Sequence, residues 1–350
     1  MRCKKLDQLS ENEILARPIF TEDLQTILPE GAILKKSYID KLRELNIDKV
    51  YVKERDPLAK EILILQVEME SQVKEKVKDI LERHTYQHNN ELMELCETAD
   101  NIIVSMVQEE EIAKKVFDIK ERSADIYEHS FNICTLSVLT ALKLQLPQEV
   151  IHDIGLGCLL HDIGLRYLTI DYDNQSLSEL SELDMAEFKK HPVYGYSALK
   201  EESWISETSK NMILYHHERL DGSGYPLHAT SLSVPVEIIN VCDTFDEMIC
   251  GIGCKKVKVH EAVEYLKAYK DIKYSSKIVD TFLQFTAVYP VGTKVLTNDG
   301  ESGIVIRQNR EFSDRPVLRI ITDKDGNPAG ENNIRDLLKI HHVFIDKVLE

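Results

Sequence analysis

Between Ser123 and Phe285 apolar side chains recur at three- or four-residue spacing, interrupted by polar stretches near Asp171 to Ser181 and Asp221 to Pro226. That period places one apolar stripe on each of a series of helices, so the middle of the chain reads as a helical bundle. The ends read differently. Before Lys53 there is a short apolar stretch from Ala16 to Phe20, a turn at Pro29-Glu30-Gly31, a helical segment from Tyr38 to Leu45 and a strand at Val50-Tyr51-Val52. This is a small α/β module, residues 1–56. Residues 57–118 read as a helical connector whose stripe is Ile62, Leu65, Met69, Val73, Val77 and Leu81. The stripe serves either as packing surface or as the seam of a homodimer. Packing is preferred, because no clean heptad with flanking charges is sustained.

Beyond Pro290 the pattern changes again. Lys294 to Thr297, Gly303 to Ile306 and Val317 to Thr322, with turns at Asn298-Asp299-Gly300 and Asp325-Gly326, predict a small antiparallel sheet. An amphipathic C-terminal helix is expected to follow it. The fold class is therefore mainly α: a bundle at 119–286, the α/β module before it and a β module with that helix at 287–350.

A chain of 350 residues with 43% hydrophobic content has enough apolar surface for two or three cores. Its seven cysteines form no CxxC pair, so they read as free thiols of a reducing cytoplasm. No apolar run approaches the ~20 residues that span a bilayer, and membrane insertion is not expected. The formal net charge of -17 argues against wrapping a nucleic acid polymer. A small anionic substrate would need a local attractor of opposite sign, and bound divalent cations supply one.

The candidate chemistry lies in histidines and aspartates. Adjacent pairs stand at His161-Asp162 and His216-His217, and Asp125 and His129 sit four apart on one helix face. Nitrogen and oxygen donors without thiolates suit iron, manganese or similar ions better than a cysteine-type structural zinc. One decoy must be removed. His152-Asp153-Ile154-Gly155-Leu156 repeats nine residues later as His161-Asp162-Ile163-Gly164-Leu165. Nine residues at ~100° each turn a helix by half a revolution, so the pairs face opposite sides. His152 continues the polar row Gln145, Gln148 and Glu149, whereas His161 continues Val150, Ile154, Gly157 and Cys158; His161-Asp162 is retained. Downstream follow His191-Pro192, then His216-His217-Glu218-Arg219-Leu220-Asp221-Gly222-Ser223-Gly224-Tyr225-Pro226, then Val241-Cys242-Asp243-Thr244-Phe245-Asp246.

Together these residues resemble the HD-GYP branch of the HD superfamily of metal-dependent phosphohydrolases, over about Ser123 to Phe285 and most specifically at HHERLDGSGYP. The resemblance implies a helical bundle holding two or three divalent ions, iron or manganese, and hydrolysis of a cyclic dinucleotide, cyclic di-GMP first. It implies His129, His161, Asp162, His191, His216, His217 and Asp243 as metal ligands, with Asp162 bridging two ions. Asp125 would be the carboxylate that admits a third. His161 and Asp162 would stand at the reacting centre, where a water activated between metals attacks phosphorus. Tyr225, in the Gly224-Tyr225-Pro226 loop, would shape the mouth.

The chain departs from the family where phosphates should be gripped. Leu165 replaces a lysine usual after the HDIG motif, and Ile252-Gly253-Cys254-Lys255 replaces an RPYR-like stretch. A glycine-rich turn after GYP is replaced by Leu227-His228-Ala229. Candidate replacement cations are Arg166, Lys190, Arg219 and Lys255, with Lys189 and Lys256 as further substitutes. Alternatives are therefore a receptor that binds a cyclic dinucleotide without turning it over, or a phosphohydrolase of different nucleotide preference, such as for cyclic GMP-AMP.

Overall fold

The computed structural model describes residues 126–170, 180–309, 312–330 and 333–349. Nearer the N-terminus it describes 2–6, 9, 15, 19–20, 26–28, 34, 36–44, 47, 49–52, 75, 97–101 and 103. The chain divides into two compact units, Met1–Ser71 and Gln72–Glu350. In the first, β1 (Arg2–Lys5) pairs antiparallel with β4 (Lys49–Val52), and β2 (Ile19–Phe20) with β3 (Thr26–Leu28). Helix α1 (Lys36–Glu44) supplies Ile39 and Leu42 to a core with Leu6, Leu15, Leu34, Val50 and Val52. The expected α/β module is present, with its helix beginning two residues earlier than the periodicity suggested. All six residues of the connector stripe, and with them the dimer seam, lie outside the described residues, as does Asp125.

The second unit is built around α2 (Ile126–Lys143), α3 (Gln148–Leu160), α6 (Glu207–Tyr215) and α7 (Val234–Cys250). Helix α2 packs on α3 and α7, and α3 packs on α6. Their apolar stripes meet in one core that includes Ile133, Leu139, Ile154, Leu159, Met212, Ile239 and Phe245. Ala99 and Ile103 reach the same core from the chain before α2. Shorter elements complete the layer: a 3-10 turn at Ile163–Tyr167, α4 (Glu182–Phe188), α5 (His191–Leu199), α8 (Val259–Ala268) and α9 (Ser276–Leu283). Ser206 starts α6 by accepting a hydrogen bond from the Ser209 backbone N–H, which satisfies one of the unpaired donors of the first turn.

The C-terminal sheet has five antiparallel strands in the order β8-β7-β6-β5-β9: β5 (Lys294–Thr297), β6 (Ser302–Asn309), β7 (Phe312–Thr322), β8 (Ile334–Asp336) and β9 (Ile345–Val348). The expected C-terminal helix is not formed; its place is taken by β9, which lies against β5. Without β9 the outer edge of β5 would leave backbone donors and acceptors unpaired. The Leu349 N–H donates to the Lys294 carbonyl at 2.8 Å, and Ile345 and Val348 pack on the sheet core with Val343. This sheet is joined to the bundle: the Val288 N–H donates to the Ser313 carbonyl at 3.2 Å, and Ser313 Oγ donates to the Leu283 carbonyl at 3.2 Å.

Candidate metal centre

Five buried histidines converge from different elements. His129 lies in the first turn of α2, and His161 is the residue at which α3 ends. His191 opens α5 with Pro192 in its first turn, where a missing N–H costs nothing. His216 and His217 follow directly on α6. Asp162 has left the helix with φ -95° and ψ 8°, while Asp243 stands in mid-α7. The close approach of the 3-10 turn to α5 requires a glycine: a Cβ on Gly164 would lie 1.9 Å from the His191 carbonyl oxygen. That contact holds His191 beside Asp162.

The two oxygens of Asp162 serve two sides. Oδ1 faces His191 Nε2 at 3.4 Å and His216 Nε2 at 3.6 Å, whereas Oδ2 faces His161 Nε2 at 3.2 Å and His129 Nε2 at 4.0 Å. Asp243 is divided likewise. Its Oδ1 is 3.2 Å from His129 Nε2 and 3.8 Å from His161 Nε2, and its Oδ2 is 3.6 Å from His217 Nδ1. The donors fall into overlapping sets: Asp162, His191, His216 and His217; His129, His161 and Asp243; and His217, Asp243 and Glu247.

Hydrogen bonding fixes which nitrogen each ring presents. Nδ1 of His161, His191 and His216 lies 2.7, 2.8 and 2.8 Å from the carbonyls of Cys158, Phe188 and Ile213. A carbonyl only accepts, so each Nδ1 carries the proton and each Nε2 turns a lone pair inward. The Nε2 atoms of His191 and His216 face each other at 3.1 Å, an arrangement of two lone pairs that a shared cation relieves. His161 Nε2 and Asp243 Oδ2 are buried without hydrogen-bond partners. His129 Nδ1 pairs instead with Asp246 Oδ2 at 2.9 Å, a carboxylate–histidine contact of the kind that orients metal ligands. The site thus fits divalent cations bound through nitrogen and oxygen.

The charges agree with this arrangement. Burial opposes the charged form of both His129 and His161. Hydrogen bonds that its ring donates to Asp243 and Asp246 nevertheless raise His129 well above its ordinary value, and the Asp162 charge raises His161. Asp162 is held well below the usual carboxylate range, its burial being outweighed by the neighbouring imidazoles, His161 first. Burial alone dominates at His191, lowered to about 4, and at His217, which lies well below its ordinary value with the His216 charge adding to the effect.

His152 lies outside this cluster: it is 32% exposed and pairs with Asp100 at 3.5 Å. The proposed phosphate cations fare unequally. Arg219 donates to the carbonyls of His216 and Glu218 and to Thr244 Oγ1, at 3.2, 2.8 and 3.0 Å, and lies over the Tyr274 ring. It fastens the loop, and both terminal nitrogens are engaged by the protein. Arg166 donates to the Tyr127 hydroxyl at 2.8 Å, and Lys190 is paired with Glu187 at 2.8 Å. Lys255 is exposed beyond α7, and Leu165 is buried in the core. Tyr225 stacks on His217 with ring centres 4.6 Å apart, and Lys189 Nζ stands 5.5 Å from the Tyr225 ring. Of the two neighbouring lysines, it is Lys189 that stands at the Tyr225 ring, while Lys190 pairs with Glu187.

Three residues of the site escape the sequence reading. Glu218 is fully buried and its two carboxylate oxygens accept from the backbone N–H groups of Leu227 and Ala229 at 2.6 and 2.9 Å, which folds the GYP loop back on the site. Asp246 orients His129. Glu247 lies one turn after Asp243, and burial together with the Asp243 charge pushes its carboxyl well above the usual range. The signal available was spacing: Asp243, Asp246 and Glu247 are at i, i+3 and i+4 on one helix.

Comparison with known proteins agrees. The family model described as an HD domain matches residues 106–278, and that of a KOW domain associated with HD domains matches residues 294–350. A cyclic di-GMP phosphodiesterase of Pseudomonas aeruginosa is 27% identical over 224 residues, 63% of this chain and 54% of that protein. A cyclic di-GMP phosphodiesterase of Thermotoga maritima is 29% identical over 170 residues, 47% of this chain and 45% of that one. The chain spans about half the length of these curated relatives. The structure of Bd1817, described as an HDG"Y"P protein from Bdellovibrio bacteriovorus, superposes with a TM-score of 0.53 at 18% identity, covering 80% of this chain and 97% of that one, which shows a shared fold. With the bundle, the HHERLDGSGYP segment and the matching family model in agreement, residues 106–278 form an HD domain, similar to that of HD-GYP proteins.

Proposed function

We propose that this protein is a metal-dependent phosphodiesterase that opens a cyclic dinucleotide, cyclic di-GMP first, to the linear dinucleotide. The observation that carries the reading is the division of Asp162: one oxygen faces His191 and His216, the other His161 and His129, as a bridge between two cations requires. His129, His161, Asp162, His191, His216, His217 and Asp243 would hold the ions. Paired iron or manganese ions supply, when bound, a water of lowered pKa and neutralisation of the charge that grows on the phosphoryl oxygens.

The side chains around them perform the rest. Carbonyl contacts keep three imidazoles in one tautomer, so their lone pairs need no reorganisation. Tyr225, stacked on His217, walls one side of the entrance and offers a ring face to a base. Lys189 contributes a cation at the rim of a chain whose net charge of -17 otherwise repels a dinucleotide.

Protein loaded separately with manganese(II) and iron(II) is to be assayed on cyclic di-GMP, cyclic GMP-AMP and linear pGpG. Cleavage of cyclic di-GMP is expected, with a loss of at least ~10³-fold in Asp162→Ala, the scale of removing a central electrostatic group. If all three substrates stay intact with both metals, the reading is wrong. A second reading, binding without turnover, is favoured by the burial of Leu165 where the family has lysine. Tight binding of cyclic di-GMP by metal-loaded protein with no product would establish it.

A further inference from the structure

The HD-GYP ligands account for two of the three donor sets, and the third includes a residue that the family pattern does not supply. We infer that Glu247, with His217 Nδ1 and Asp243 Oδ2, forms a third cation position in this centre. The inference rests on reading the centre as a divalent-cation site, and is independent of the substrate.

His217 and Asp243 each belong to one of the other two sets as well, and Glu247 to this one alone. Asp162, His191, His216 and His217 form one set, and His129, His161 and Asp243 another. Asp243 Oδ2 is buried and has no hydrogen-bond partner. His217 differs from the other four histidines: they turn Nε2 toward an aspartate, whereas His217 turns Nδ1 toward Asp243 Oδ2, at 3.6 Å. Glu247 completes the group, with one atom from each of the three residues within 4.8 Å of the others.

Helix geometry makes the placement rigid. Asp243 and Glu247 are four apart on α7, so both carboxylates project from one face. Two carboxylates held this close repel each other, and the nearby guanidinium of Arg219 relieves them only through space, because its terminal nitrogens donate to His216, Glu218 and Thr244. Among the described residues no ion pair or side-chain hydrogen bond engages the Glu247 carboxylate. A divalent cation answers that arrangement. Two carboxylate oxygens and one imidazole nitrogen suit a hard ion, manganese(II), iron(II) or magnesium(II). Asp243 would then bridge one pair of positions as Asp162 bridges the other.

The test is a metal count. Metal-free full-length protein is titrated with manganese(II) and the bound ions are counted by elemental analysis and by electron paramagnetic resonance of the free ion. The wild type is expected to take up three ions and Glu247→Gln two, with the weakest step lost or weakened at least tenfold. Glu247→Ala gives the same result if ligation is the cause, and Glu247→Asp recovers part of the affinity; circular dichroism verifies that each variant is folded. Three ions in folded Glu247→Gln, or only two in the wild type, overturn the third position while leaving the two-ion reading intact. Loss of the third ion in Asp125→Asn but not in Glu247→Gln also overturns it. A wild type that takes up no manganese removes the underlying reading as well.

Discussion

Asp162 and His191 show how single side chains are set by their surroundings. The carboxylate of Asp162 has one oxygen on each side of the centre, so Asp162→Asn leaves an amide nitrogen facing one histidine set. Its manganese content is expected to fall by at least one ion per chain relative to the wild type, as read by elemental analysis after desalting. His191 provides a pH signature. Burial lowers it to about 4, against roughly 6.5 in an unfolded chain. Between those values the unfolded chain takes up a proton that the folded chain refuses. Metal-free protein therefore loses stability as pH falls from about 6.5 toward 4, by up to ~3 kcal/mol for this ring. His129 and His161 are raised, and act in the opposite sense: their contribution is complete below pH ~6.5 and fades as pH rises through their folded values. His191→Gln removes the first effect alone, so its urea midpoint in chelator should change less between pH 6.5 and 4 than that of the wild type.

Elements matter here through two close approaches. The 3-10 turn after Asp162 lies against α5 because Gly164 has no side chain; an alanine there would meet the His191 carbonyl carbon and oxygen at 2.8 and 1.9 Å, backbone atoms that cannot swing aside. Gly164→Ala is expected to cost about 1–3 kcal/mol, the range for overpacking, and to weaken metal retention by displacing His191 from Asp162. Matched thermal melts with and without manganese separate the two effects. Glu218 governs the GYP loop in the same way. Replacing it by glutamine leaves only one acceptor oxygen for two backbone N–H groups, at a cost of about 1–3 kcal/mol for the unpaired donor. The loop would loosen while the histidine cluster persists, so Glu218→Gln should retain its manganese while Tyr225 becomes more accessible to nitration by tetranitromethane.

At the scale of the molecule, the metal centre lies entirely in the Gln72–Glu350 unit, and the Met1–Ser71 unit has its own core of Leu15, Leu34, Leu42 and Val52. Ions that bind only the folded state raise the stability of the unit that holds them, by about 2.7 kcal/mol at a hundredfold excess over the dissociation constant. Chelation should therefore lower the unfolding transition of the larger unit and leave that of the N-terminal unit in place. Scanning calorimetry with and without chelator checks this, and a shift of both transitions by the same amount would count against separate units. Among the described residues no helix is long and apolar enough to cross a membrane.

The helical period of the central region and the alternation of the C-terminal one determined the element types, because side-chain direction repeats at 3.6 residues in a helix and at 2 in a strand. The same phase reasoning separated His161 from His152, since a half-turn of helix decides which side faces the core. Periodicity failed at residues 345–348: what makes them a strand is the open edge of β5, a partner some fifty residues away in the sequence. It also could not assign the cations. Arg219, Lys189 and Lys190 look alike as isolated positive charges, and only the folded chain ties Arg219 to carbonyls, pairs Lys190 with Glu187 and brings Lys189 over Tyr225. Glu247 is the clearest case. Its spacing from Asp243 was visible in the sequence, but its meeting with His217, thirty residues earlier on another element, is a product of tertiary packing alone.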